Sequence, residues 1–306
     1  MDLLLAASLP DAPALTGLVL YLALIATAAF AGGSSVAFLS LGHRPMQVLL
    51  SLTGGVLLGV GMLHLFPHAC LALRGDVETT AGWALGGFFL MFLLERAFHG
   101  HAHHTADGGH ECGHDHAHDH GHHDAHAHAA PTSPWAWCGA FAGLALHSLA
   151  DGAALAASVN ADAAHGGGLL SGLATFLAIL LHKPFDAAII ATLMASADTA
   201  PRLRTIVNIA YALIVPLGAA CFLASLQLFG GHQTEVLGIA MAMAAGAFLC
   251  IAAADLLPEV QFHSHDRVLL TASLALGLAL AWGISLVERS SHSHAAHSAA
   301  TAPDAH

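Results

Sequence analysis

Eight apolar stretches divide this chain of 306 residues, at roughly 14–38, 48–71, 80–98, 135–159, 167–195, 205–229, 235–257 and 268–287. Each is long enough to cross the ~30 Å hydrocarbon core of a bilayer, which takes about 20 apolar residues in a helix. Lipid offers a backbone amide no partner, so a span must satisfy its own hydrogen bonds, and a helix does. The sequence therefore predicts an all-α polytopic membrane protein with eight transmembrane helices. Charged residues make up 9% of the chain, against about a quarter in soluble domains. Eight Lys+Arg are too few for a nucleic-acid surface, so the expected partner is the lipid bilayer and no nucleic acid.

The few basic residues set an orientation. With the N-terminus outside, Arg44, Arg96, Arg202, Arg204 and Arg267 fall on the cytoplasmic side, and Arg74 and Arg289 fall outside. That excess follows the positive-inside rule, and an even number of spans returns the C-terminus to the outside. The opening Met-Asp-Leu-Leu-Leu lacks the basic start of a secretory signal, so no cleaved leader is expected. High Ala/Gly content and few lysines suggest a bacterial inner membrane. A homodimer is among the assemblies this leaves open.

The chain also repeats itself. Gly55-Val-Leu-Leu through His64-Leu-Phe-Pro67-His68 parallels Gly246-Ala-Phe-Leu through Asp255-Leu-Leu-Pro258-Glu259. Glu95-Arg96-x-x-His99-x-His101 parallels Glu288-Arg289-x-x-His292-x-His294. Both pairs lie five spans apart, an odd number, so their members run in opposite directions. This is the pattern of an inverted repeat, 3+2+3, which in transporters brackets a midplane substrate site. The expected organisation is helices one to three at 14–98, a cytoplasmic segment at 99–134, helices four and five at 135–195, helices six to eight at 196–287, and an outside tail at 288–306.

The two central spans carry the chemistry. Each holds a histidine followed four residues later by an aspartate, His147–Asp151 and His182–Asp186. Residues four apart stack on one helix face, so each span presents an imidazole and a carboxylate to the same neighbour. Ionisable groups at that depth are costly and mark an ion path by default. Two imidazoles and two carboxylates make a four-coordinate set for Zn2+, and they suit Fe2+, Mn2+ and Cd2+ as well. With the orientation above, His64 and His68 lie toward the outer end of span two as an imidazole entrance, unless His64 is simply a packed, hydrogen-bonded histidine. Asp255 and Glu259 lie toward the cytoplasmic end of span seven as a carboxylate exit.

Thirteen of the 26 histidines fall between His99 and His128, in runs such as His114-Asp-His116-Ala-His118-Asp-His120. That stretch is too polar to pack a core and is expected to be disordered. Neutral imidazoles there would capture metal. The tail repeats the theme more weakly with His292, His294, His297 and His306. The five cysteines, Cys70, Cys112, Cys138, Cys221 and Cys250, are odd in number and scattered, which argues for packing rather than a disulfide framework.

At these residues the chain resembles the ZIP (Zrt/Irt-like) family of divalent-metal transporters. The resemblance runs over about 40–290 and rests chiefly on His147-Ser-Leu-Ala-Asp151-Gly152 and His182-Lys-Pro-Phe-Asp186-Ala187. Span two's His64-Leu-Phe-Pro67, span seven's Asp255-Leu-Leu-Pro258-Glu259 and the His-rich loop after span three support it. It implies inward movement of a metal through the central residues. Many family members carry an amide where this chain has Ser148, a carboxylate where it has Lys183, and a span-six glutamate where it has Val215 before Pro216-Leu217-Gly218. Three second-site ligands are thus replaced together, which implies one transported metal in the core. His-Lys at the head of the span-five motif resembles a particular branch of the family. There the Lys183 ammonium could offset one of two mutually repelling aspartates and stand where a second cation would sit, unless its stem snorkels to water.

Three rival functions fit the sequence less well. A cation diffusion facilitator exporter is expected to have six spans and a sizeable cytoplasmic C-terminal domain, and fewer than 20 residues follow span eight here. An intramembrane zinc hydrolase needs an open metal position and a separate base, and no HExxH motif occurs. Ligands at mid-membrane depth argue against a metal sensor that does not transport. The sequence points to a transporter and not an enzyme.

Overall fold

The computed structural model describes residues 10–35, 43–103, 136–164, 168–262 and 267–300, with side chains over 10–35, 45–96, 137–164, 168–229, 231–254 and 267–286. Eight helices in it are long and apolar enough to cross a membrane: Ala12–Ser35, Pro45–Ala72, Val77–Arg96, Trp137–Ala164, Gly168–Ser196, Pro201–Leu228, Gln233–Ala254 and Arg267–Leu286, spans one to eight. Each coincides with one of the apolar stretches, and the largest extension is at the end of span four. No strand occurs among the described residues. The histidine run His114–His120 lies outside them.

Proline and capping residues explain the local departures from plain helix. Span two is α-helical over His43–Val60, opens into a π turn at Gly61–Leu65, and resumes at Phe66–Ala72. The cause is Pro67, which has no N–H for the carbonyl four residues back. Phe66 N–H reaches instead to Gly61 O, and the carbonyl of Leu63 accepts from Ser285 Oγ of span eight at 3.4 Å. Span six breaks at Leu213, between helices Pro201–Ala212 and Ile214–Leu228, because Pro216 leaves the Ala212 carbonyl without its donor. Asp76 caps span three, accepting from Thr79 N–H at 3.0 Å and Thr79 Oγ at 2.6 Å. Those bonds hold the Asp76 carboxyl below the usual carboxylate range.

Burial sorts the spans into an inner and an outer ring. About 61% of spans two, four and seven and 50% of span five is buried, against 17% of span three and 28% of span eight. The outer ring presents Val19, Leu24, Leu85, Phe89, Ile206 and Leu280 outward, as lipid-facing helices do.

Four close helix pairs hold the bundle together: one with five, four with six, two with eight, and three with seven. Glycine lets the backbones touch. Gly55 faces the Leu274 carbonyl and Gly277 the Leu52 carbonyl; Gly246 faces the Ala84 carbonyl and Gly87 the Met243 carbonyl; Gly152 faces the Val215 carbonyl and Gly218 the Leu149 carbonyl. Gly17 and Gly32 of span one do the same against Leu169 and Pro184. Exchanging spans one to three with six to eight, and four with five, maps these four pairs onto one another. Two four-helix groups result, spans one, four, five and six in one and spans two, three, seven and eight in the other, with fewer contacts between groups than within them.

Candidate metal centre

The i, i+4 spacing read from the sequence places all four central donors together. Asp151 Oδ2 lies 3.3 Å from both His147 Nε2 and His182 Nε2. Asp186 Oδ2 lies 3.7 Å from His147 Nε2 and 4.0 Å from His182 Nε2. The imidazole rings stand 5.4 Å apart. His147, Ser148, Asp151, His182 and Lys183 are each no more than 4% exposed. His182 Nδ1–H donates to the Ala178 carbonyl at 2.8 Å, so in the neutral ring Nε2 bears the lone pair and points at the carboxylates. Metal-binding histidines are oriented this way, by a hydrogen bond at the other nitrogen.

Lys183 does not snorkel. It is 0% exposed, and its Nζ sits 2.5 Å from Asp151 Oδ2 and 2.9 Å from Asp186 Oδ2. One ammonium thus bridges two carboxylates that would otherwise repel in a dry interior. Its Nζ also stands 5.9 Å from the centroid of the Tyr211 ring. Ser148 shares its one hydroxyl proton between Leu144 O at 2.7 Å and Tyr211 Oη at 3.0 Å. Tyr211 Oη in turn donates to Asp186 Oδ2 at 3.3 Å. Val215 is buried beside Gly152.

The residues expected along the path divide into two sets. His64 and His68 lie in and just after the π turn of span two, close to Asp162 at the end of span four. His64 is hydrogen-bonded, with Nε2 2.9 Å from Ser158 Oγ, and Ser158 Oγ accepts from Thr175 Oγ at 2.9 Å. The side chains of Asp255 and Glu259, and the loop histidines His114, His116, His118 and His120, lie outside the described set.

Four participants escaped the sequence reading. Asp162 fell beyond the expected end of span four at 159, although it follows Asp151 by eleven residues, three helical turns, and so shares its face. Tyr211 is one of two tyrosines in the chain, and a lone phenol hydroxyl in an apolar span was a usable signal. Ser158 and Thr175 looked like ordinary small residues of a membrane helix.

Comparison with known proteins shows the family. The family model described as ZIP zinc transporter matches residues 15–287. Zinc transporter ZIP1 of Mus musculus is 26% identical over 267 residues, covering 81% of this chain and 80% of that protein. Members of this family are transporters and not enzymes. Eight membrane-length helices, a buried His/Asp cluster and a match over most of the chain converge: this chain belongs to the ZIP zinc transporter family.

Proposed function

We propose that the chain moves a divalent cation, zinc foremost, into the cytoplasm through a site made by His147, Asp151, His182 and Asp186. The observation that carries this is the meeting of two imidazoles and two carboxylates across spans four and five, each imidazole within 4.0 Å of both aspartates and the group largely buried. A tetrahedral zinc with bonds of about 2.0–2.2 Å needs donor separations of roughly 3.3–3.5 Å, close to those present. Fe2+, Mn2+ and Cd2+ share these ligand preferences and are the competing cargoes.

Lys183 stands in this scheme for the second cation. It offsets one of the two negative charges of Asp151 and Asp186 between cargoes, and an arriving dication takes the carboxylates from it. Tyr211 positions Asp186 and Lys183 and is not itself a ligand. The cation enters past His64 and His68 and leaves past Asp255 and Glu259 toward the His-rich segment. Both termini then face outside, and the membrane is a bacterial inner membrane.

The test is uptake of labelled zinc by liposomes holding the purified chain. Alanine at Asp151, Asp186, His147 or His182 is expected to cut uptake at least ~10-fold, the low end of what losing even an outer-shell partner costs a metal site. Membrane insertion should be unchanged. Near-normal uptake by well-expressed alanine variants at both aspartates would sink the assignment.

A further inference from the structure

The second cluster, at the end of span four, has features that a hydrogen-bond network alone does not explain. One ligand atom from each of His64, His68 and Asp162 lies within 4.8 Å of the others. His64 Nε2 is 3.7 Å from Asp162 Oδ2, and His68 Nε2 is 3.6 Å from Asp162 Oδ1. Both separations are too long for hydrogen bonds but within a few tenths of an ångström of the ~3.3–3.5 Å between donors on one tetrahedral zinc.

Two of the three donors are oriented from behind, and the third, His64 Nε2, is held at 2.9 Å by Ser158 Oγ. His68 Nδ1–H donates to the His64 carbonyl at 2.8 Å, which turns its Nε2 lone pair toward Asp162. Gly172 N–H donates to Asp162 Oδ2 at 2.6 Å. Gly172 can do this because it holds φ +77, a left-handed conformation, at the start of the span-five helix. The other oxygen, Asp162 Oδ1, is buried without a hydrogen-bond partner among the described residues. An unpaired carboxylate oxygen on a residue 4% exposed is expensive, and a cation is the group that satisfies it. The side chains of His64 and Asp162 are 3% and 6% exposed, while that of His68 is 16% exposed, leaving one side open.

The geometry points to a second divalent-cation site, His64–His68–Asp162, of the borderline class that zinc typifies. Eleven residues along span four, at 1.5 Å each, separate it from the central donors by about 16 Å. Among the described residues three protein ligands converge, and three ligands with water in the fourth position is the pattern of a site that exchanges its ion rather than a closed structural one. Ser158 and Thr175 lie one hydroxyl each between the two sites, on the same faces as Asp151 and His182. The site deepens the path reading of span two but does not require the central assignment to hold.

Anomalous diffraction at the zinc edge, from crystals of the full chain equilibrated with zinc, tests it. A peak bounded by His64, His68 and Asp162 is expected, lost in Asp162→Asn while any central peak persists. Asparagine keeps the shape and the acceptor for Gly172 N–H, so loss of the peak would not reflect misfolding. No outer peak in the wild-type chain overturns the site, with or without a central one. An outer peak of full height in Asp162→Asn overturns this ligand set. An outer peak without a central one upholds this site and counts against the central reading alone.

Discussion

Replacing Lys183 with methionine tests the bridging ammonium most directly. Methionine keeps the unbranched stem and nearly the volume, but leaves Asp151 and Asp186 facing each other without the ammonium at 2.5 and 2.9 Å. At an effective dielectric of about 20, each contact is worth roughly 6 kcal/mol of Coulomb attraction. Most of that is set against the desolvation of a fully buried lysine, and removing one partner of a buried pair costs about 3–5 kcal/mol. The zinc-free variant should therefore unfold in detergent at a clearly lower temperature. A dication restores the missing charge, so zinc should stabilise the variant more than the wild type. If a quarter of one contact must be surrendered when zinc takes the carboxylates, its removal is worth about 1.5 kcal/mol, or roughly tenfold in affinity. Half-saturating zinc in liposome uptake should fall about tenfold, with a lower maximal rate because release slows. Unchanged unfolding temperature without zinc together with unchanged half-saturation would refute the bridging role.

The central donors should hold one ion, since the Lys183 ammonium already occupies the space between the two carboxylates; two anomalous peaks about 4 Å apart there, as in two-metal sites, would contradict this. Deleting residues 101–128 should leave zinc uptake at saturating metal intact. It should remove weak sites seen by calorimetry at neutral pH in the full chain, sites that vanish near pH 5 as imidazoles take protons and stop ligating. Loss of uptake at every zinc concentration, in a deletion that inserts normally, would place the loop in the core mechanism. Gly246→Val should drive a side chain into the Ala84 carbonyl and cost about 1–3 kcal/mol or more, read as a drop in detergent unfolding temperature; no drop would mean spans three and seven are looser than described.

Much of the architecture was legible because a bilayer allows few solutions. Apolar length alone located eight helices, and the i, i+4 spacing of His147–Asp151 and His182–Asp186 was enough to bring four donors together. The repeat of Gly55 at Gly246 anticipated matched helix contacts, since each glycine marks a close crossing. What stayed hidden depended on contacts between distant segments. Span four runs on through Asn160 and Asp162 because the Asn160 amide bonds back to Ala156 O and Gly172 N–H holds Asp162; hydropathy sees only two polar residues ending an apolar run. The π turn at Gly61–Leu65 follows from Pro67, but proline also makes plain kinks, and the sequence does not choose between them. Nothing in the span-six sequence says that Tyr211 meets Asp186 from another helix.

The division of the bundle into two four-helix groups separates the two clusters by how they answer to shear. His147, Asp151, His182, Asp186, Lys183 and Tyr211 all ride on spans four, five and six of one group, so sliding that group against the other leaves their mutual distances untouched. The outer triad straddles the seam, with Asp162 on the first group and both histidines on span two of the second. A slip of one helical turn, about 5.4 Å, would carry Asp162 out of bonding reach of both histidines. Such a slip would leave the inner cluster whole and take the outer one apart.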